Sequence, residues 1–349
     1  GRYGEAETEY REVLAAQTRL LGADHPDTLI IRHNLANVMR RQGRYGEAET
    51  EYREVLAVRT RLLGADHPHT LNTRQNLANA MQEQGRYGEA DTEHREVLAA
   101  QTRLLGADHP HTLSTRQNLA NVMRRQGRYG EAETEYREVL AAQTRLLGVD
   151  HPNTLGTRHN LANAMQEQGR YGEAETEYRE VLAVRTRLLG ADHPNTLIIR
   201  HSLAVVMQEQ GRYGEAETEH REVLAAQTRL LGADHPDTLS TRHSLANAMQ
   251  EQGRYGEAET EYREVLAVRT RLLGADHPDT LIIRHNLANV MGRQGRYGEA
   301  ETEHREVLAA QTRVLGADHP HTLSTRHNLA IVMRRQGRYG EAETEHREE

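Results

Sequence analysis

Residues 22–63 read GADHPDTLIIRHNLANVMRRQGRYGEAETEYREVLAVRTRLL, and residues 64–105 begin the same phrase again as GADHPHTLNTRQNLANAMQEQGRYGEADTEHREVLAAQTRLL. The interval of 42 residues runs through the chain. All eight prolines obey it, at Pro26, Pro68, Pro110, Pro152, Pro194, Pro236, Pro278 and Pro320, and so do the eight methionines from Met39 to Met333. Residues 1–42 and 253–294 differ only at Ala16/Val268, Gln17/Arg269 and Arg40/Gly292. Self-similarity at a fixed period of this size is the mark of a stacked-repeat architecture.

Each period holds two helices. Pro26 suits a first helical turn, where its missing N–H costs nothing, and Asp24 or His25 stands where a cap belongs. From there a helix is expected to run to about Gln42. Its apolar residues Leu29, Leu35, Ala36, Val38 and Met39 cover more than one stripe, as a helix packed on two sides requires. Gly43 supplies the left-handed conformation of a helix stop. A second helix is expected over Tyr45–Leu63. Its Tyr45, Ala48, Tyr52, Val55, Leu56, Leu62 and Leu63 fall near the three-and-four spacing of a buried face. Gly64 ends it, and short connections make the two helices antiparallel neighbours.

Composition agrees with a thin stack rather than a deep globule. The chain has 349 residues, 36% of them hydrophobic, with no Cys, Phe or Trp and with all 44 cationic residues Arg; mean hydropathy is −0.82. A regular array orders such a chain because each unit touches only its neighbours. Without Cys there is no disulfide, thiol nucleophile or thiolate metal site. The net charge of −8 argues against a nucleic-acid partner. No apolar segment suggests a leader or a membrane span, so a cytoplasmic protein is expected.

The run Leu35-Ala36, Met39, Gly43, Tyr45, Ala48 and Tyr52, followed by Leu63-Gly64-x-Asp66-His67-Pro68-x-Thr70-Leu71, resembles the tetratricopeptide repeat (TPR) in its 42-residue kinesin-light-chain form. Bacterial, notably actinobacterial, proteins carry similar Arg-rich arrays, often behind a STAND-type nucleotide-binding module that this chain does not contain. The resemblance covers essentially the whole chain. It implies an all-α, right-handed superhelical solenoid of antiparallel helix pairs. On this reading residues 1–349 form a single solenoid: a lone second helix at 1–21, seven complete helix pairs at 22–315, and a first helix with a truncated second helix at 316–349. Both ends lack polar caps, so the sequence reads as an excerpt of a longer array, and end-to-end self-association is an expectation. His replaces the second-helix Tyr at His94, His220, His304 and His346, which should weaken packing there.

In TPR proteins the first helices line a concave surface on which a partner peptide lies. The resemblance selects Ile30, His33, Asn37, Arg40 and Arg41, whose spacing shares one helical face. The matching positions in later copies are Gln75, Asn79 and Glu83; Gln117, Asn121 and Arg125; His159, Asn163 and Glu167; His201 and Glu209; His243, Asn247 and Glu251; His285, Asn289 and Arg293; and His327 and Arg335. Most variation among copies falls on this face. Such variation tunes a ligand site or marks tolerance at exposed positions; the equally exposed outer positions stay fixed, which favours a groove.

The Asn row, interrupted by Val205 and Ile331, offers a donor and an acceptor to an extended peptide backbone. The alternative is that these amides bond to neighbouring helices. At the end of the face, Arg41, Arg125, Arg293 and Arg335 stand in four copies and Glu83, Glu167, Glu209 and Glu251 in the other four, with the fourth to sixth copies acidic in succession between basic ones. A partner with a basic middle and acidic ends fits that order, and solvated helix ends are the alternative.

Three other readings are set aside. Equivalent His on successive helices lie roughly 10 Å apart, too far to share an ion, so no metal is expected. Gly-Arg-Tyr-Gly-Glu-Ala is an inter-helix turn, not a phosphate loop, which needs a Lys. Glu47, Glu49 and Glu51 form a charged helix face. Every feature is repeated whereas catalytic sites are singular, so no enzyme and no cofactor are expected. The functional expectation is a scaffold that binds an extended peptide or a partner protein. The alternative is a sensor or structural array packed on further domains of a STAND-type signalling protein.

Overall fold

The computed structural model describes residues 3–347, with side chains placed for 3–343. Among these residues there are seventeen helices and no strand. The chain divides into two compact units, Gly1–Glu177 and Tyr178–Glu349, described in turn. No helix among the described residues is long and apolar enough to cross a membrane.

The first unit holds α1 (Tyr3–Leu21), α2 (Pro26–Arg41), α3 (Tyr45–Leu63), α4 (Pro68–Glu83), α5 (Tyr87–Leu105), α6 (Pro110–Arg125), α7 (Tyr129–Leu147) and α8 (Pro152–Glu167); α9 (Tyr171–Leu189) contains the division. The first helix of each pair has 16 residues and the second 19. Neighbours in sequence from α1 to α8 pack together, and α2, α4, α6 and α8 also touch in order. Leu35, Met39, Tyr52, Leu77 and Met81 form one core across two pairs.

The second unit repeats the scheme with α10 (Pro194–Glu209), α11 (Tyr213–Leu231), α12 (Pro236–Glu251), α13 (Tyr255–Leu273), α14 (Pro278–Arg293), α15 (Tyr297–Leu315), α16 (Pro320–Arg335) and α17 (Tyr339–Arg347). Leu245, Met249, Tyr262, Ile283, Leu287 and Met291 belong to one core cluster of this unit.

Local chemistry sets the boundaries. Pro26 occupies the first turn, and the cap is His25 rather than Asp24: His25 Nδ1 accepts from the Asp27 backbone N–H at 3.3 Å. The same bond recurs down to His319, whose Nδ1 accepts from His321 N–H at 3.2 Å. At the other end Gly43 has φ 81°, and the following N–H of Arg44 returns to Met39 O at 3.0 Å. A residue with a Cβ would be strained there.

The expected buried face of the second helix holds at Ala48, Tyr52 and Val55, each fully buried, but not at Leu62 and Leu63, which are 50% and 38% exposed. The last turn of a 19-residue helix overhangs its 16-residue partners, so these leucines rim a shallow cavity with Pro26 and Ile30.

Acidic residues that the sequence presents as a solvated face tie repeats together. Glu49 is only 8% exposed. It accepts from Arg86 Nη1 at 2.7 Å, from Gln84 at 2.7 Å and from Arg53 at 2.8 Å. Those donors outweigh the desolvation that opposes them and hold its carboxyl at about 2. The same 37-residue reach joins Arg44 to Glu7, Arg170 to Glu133, Arg254 to Glu217 and Arg338 to Glu301. Glu47 pairs with Arg44 and Glu51 with Arg32. The Gly-Arg-Tyr-Gly-Glu turn is thus the staple between successive pairs.

Candidate partner-binding face

The selected first-helix residues do lie along one side of their helices, but they are not equally free. The terminal charged positions Arg41, Glu83, Arg125, Glu167, Glu209, Glu251, Arg293 and Arg335 are exposed. Gln75, Asn79, Gln117, Asn121, His159, Asn163, His201, His243, Asn247, His285 and Asn289 are half-buried, as is Asn37, while His33 is buried and His327 exposed.

The Asn row is anchored from behind. The hydroxyl of Tyr52 donates to Asn37 Oδ1 at 2.7 Å, that of Tyr136 to Asn121 Oδ1 at 2.6 Å, and that of Tyr262 to Asn247 Oδ1 at 2.5 Å. The acceptor of each of these amides is therefore engaged with its own pair's second helix, which leaves the amide N–H2 as the group aimed elsewhere. Burial raises the Tyr52 and Tyr136 hydroxyls to about 12, so they donate at every physiological pH.

The interruptions of the row then acquire a reason. The four copies with Tyr52, Tyr136, Tyr178 or Tyr262 all carry Asn fifteen residues earlier. Val205 and Ile331 occur only where the second helix has His, at His220 and His346. The side chain of His346 lies outside the described residues. A tyrosine hydroxyl needs the Asn acceptor; the histidines make no such bond. His94, His220 and His304 are fully buried, and neither ring nitrogen of any of them has a hydrogen-bond partner. Burial pushes their pKa values down, to about 4 for His94 and about 3 for the other two.

The first-helix histidines bridge to the next first helix. The Asn76 amide donates to His33 Nε2 at 3.0 Å, Asn286 to His243 Nε2 at 2.8 Å, and Asn328 to His285 Nε2 at 3.1 Å. With its Nε2 accepting, neutral His285 donates from Nδ1 to Thr325 Oγ1, 2.8 Å away. Desolvation lowers His33, His201, His243 and His285 to about 4. These rings are therefore neutral linkers near pH 7. The Asn76, Asn286 and Asn328 row was not singled out in the sequence; the signal available was Asn at that position in six copies, with Ser202 and Ser244 in the other two.

Part of the charged row is engaged along the stack. Arg124 Nη1 meets Glu167 Oε1 at 2.5 Å, and Arg40 approaches Glu83 at 3.6 Å. Each bond runs from one first helix to the end of the next.

Repeated helix pairs of this geometry, joined by capped turns 42 residues apart, define a helical-repeat protein. The tetratricopeptide repeat family matches in eight overlapping segments, 1–59, 30–101, 75–145, 117–185, 154–227, 199–271, 237–311 and 279–348, so the chain belongs to that family. Among solved structures, it is similar to the apo form of the quorum sensor NprR from B. thuringiensis, with 14% identity, a TM-score of 0.67, and coverage of 99% of this chain and 92% of that one. It is similar to a Rap protein complexed with Competence and Sporulation Factor at 11% identity and a TM-score of 0.60, covering 92% and 96%. Sequence identity is higher, 31%, to the nearly identical TPR-like repeats of a kinesin light chain candidate from Podosopora anserina, over 59% of this chain and 97% of that one, with a TM-score of 0.49. No curated protein matches the sequence.

Proposed function

We propose that the first-helix face of this TPR array binds an extended peptide segment of a partner protein. The observation that carries the reading is the row of amides at Asn37, Asn121 and Asn247. Each is fixed through its oxygen by a buried tyrosine hydroxyl and keeps its N–H2 for a peptide carbonyl. Fixing a donor before binding lowers the entropy lost on association. The concentration of sequence differences on this face, beside a constant outer face, supports the same reading. So does the fold shared with a Rap protein seen in complex with a factor.

The test uses a random dodecapeptide display library selected on the whole chain. Enriched peptides are then titrated against a variant with Asn37, Asn121 and Asn247 changed to Asp. Aspartate keeps the acceptor for tyrosine and removes the donor. Affinity should fall by at least roughly tenfold, the effect of one or two hydrogen bonds, while the helical signal and melting midpoint hold. A library that enriches nothing refutes the reading.

A further inference from the structure

The second unit contains one place where the repeat is broken. Position 292 is Gly, whereas its equivalents are Arg40, Arg124 and Arg334, or Gln82, Gln166, Gln208 and Gln250. Gly292 lies inside α14 and is absent from the positive-φ glycines. It stands in the last turn of α14, where the backbone does not demand it and where glycine is unfavourable relative to alanine. Nor do neighbours forbid a side chain: an added Cβ would stand 3.6 Å from Val332 Cγ2 and 3.8 Å from Ala300 Cβ, ordinary contact distances. What the glycine does is leave space. A cavity of about 640 Å³ opens over it.

Gln250, Asn289, Asn328, Tyr255 and Tyr297 give that cavity neutral polar walls, and two further sides complete it. Ile331 and Val332 give an apolar side, and Ile331 stands where six other copies have Asn. Arg293 and Arg335 give a cationic side. In the first unit the arginine at the glycine's position meets a glutamate 43 residues on, as Arg124 meets Glu167. Here both members are changed: Gly292 offers no cation, and the residue 43 further on is Arg335. Neither Arg293 nor Arg335 forms an ion pair among the described residues, and no Asp or Glu lines the cavity. Two unpaired guanidinium groups beside an open space in a chain of net charge −8 form a local site for an anion.

Resting on the peptide-binding reading, the geometry points to this cavity as a specificity pocket that receives an acidic side chain of the bound peptide, its carboxylate between Arg293 and Arg335 and its neighbouring apolar residue against Ile331 and Val332. The pocket gives the array a fixed register for its ligand, because no other copy pairs a glycine with two arginines.

The experiment selects the same dodecapeptide library on the wild-type chain and on Gly292→Gln, which restores the residue of four other copies and places a side chain in the space without adding charge. Selected peptides are then titrated against Arg335→Glu. The expected result is enrichment of Asp or Glu followed by an apolar residue on the wild type and its loss on Gly292→Gln. Affinity should drop at least roughly tenfold in both variants, the change expected from losing one charge-assisted hydrogen bond, with unchanged helicity. Enrichment without acidic residues, or equal binding to all three proteins, overturns the pocket and leaves the groove standing. A library that enriches nothing overturns both. Enrichment that survives Gly292→Gln but is lost in Arg335→Glu also overturns the pocket, assigning the effect to surface charge alone.

Discussion

Replacing His94 by Tyr should stabilise the protein at neutral pH and flatten its acid sensitivity. The site is built for the exchange. Tyr52, Tyr136 and Tyr262 occupy the equivalent position with no exposed surface, and Asn79 stands where Asn37 and Asn121 accept the hydroxyl. His94 has two buried ring nitrogens without partners; leaving one such group unsatisfied costs about 1–3 kcal/mol, and the new Tyr–Asn bond adds about 1 kcal/mol. A gain of about 1–3 kcal/mol near pH 7.5 allows for strain in fitting the larger ring.

The sign of the pH effect follows from linkage. Burial is the dominant influence on His94 and lowers it from 6.5 to about 4, against a weaker opposing pull from Asp91 on the same helix. The folded form therefore resists the proton that the unfolded chain accepts. Its stability is complete above about pH 6.5 and falls as the pH drops toward 4, by about 2 kcal/mol at pH 5 from this residue alone. Tyrosine does not titrate there, so the variant's advantage should widen by about that amount between pH 7.5 and pH 5. The assay is urea unfolding followed by far-UV circular dichroism at both pH values. An advantage that does not grow on acidification, or a less stable variant at neutral pH, refutes the reasoning.

Three further outcomes follow from the same structure. Arg59 is buried with no carboxylate, donating to Thr73 Oγ1 at 2.7 Å and to backbone carbonyls; Arg59→Gln, which reproduces the Thr115–Gln101 bond of 2.7 Å, should raise stability by about 1–2 kcal/mol in chemical denaturation. Tyr136→Phe strands Asn121 Oδ1 and should cost about 1 kcal/mol in the same measurement, with no change in helicity. Glu49→Gln should cost about 1–3 kcal/mol at neutral pH. Because the Glu49 carboxyl is lowered from 4.5 to about 2, its contribution is present above about pH 4.5 and fades toward pH 2, so wild type and variant should converge there.

Much of the scaffold was legible because each signal is local and occurs eight times. Pro26 and Gly43 fix the two ends of a helix by backbone chemistry alone, and Tyr45–Leu63 matches the observed second helix to the residue. Leu62 and Leu63 misled because periodicity marks which side a residue faces, not whether a partner reaches that far along the axis. Glu49 misled in the opposite sense. Its donors Arg86 and Gln84 come from the next pair, 37 and 35 residues on, and no helical wheel contains them. The Asn row was visible as a row, but its anchoring was not, since that depends on which tyrosine faces it across the pair. The substitution at Gly292 was visible as one of three differences between copies. Its meaning required the cavity.

The staple between pairs also bears on how such a chain changes length. Every Arg–Glu link of the Arg86–Glu49 kind takes one partner from each of two successive copies, and the copies present interchangeable groups. Removing or duplicating 42 residues within either unit would bring a different arginine to a different glutamate and close the same link. The gene can therefore gain or lose modules in frame without designing a new junction. What such an event cannot preserve is position: it would move the pocket over Gly292 by one module relative to the rest of the face. Length is thus a trait the repeated link leaves open to change, whereas the place of that cavity along the face shifts with every such event.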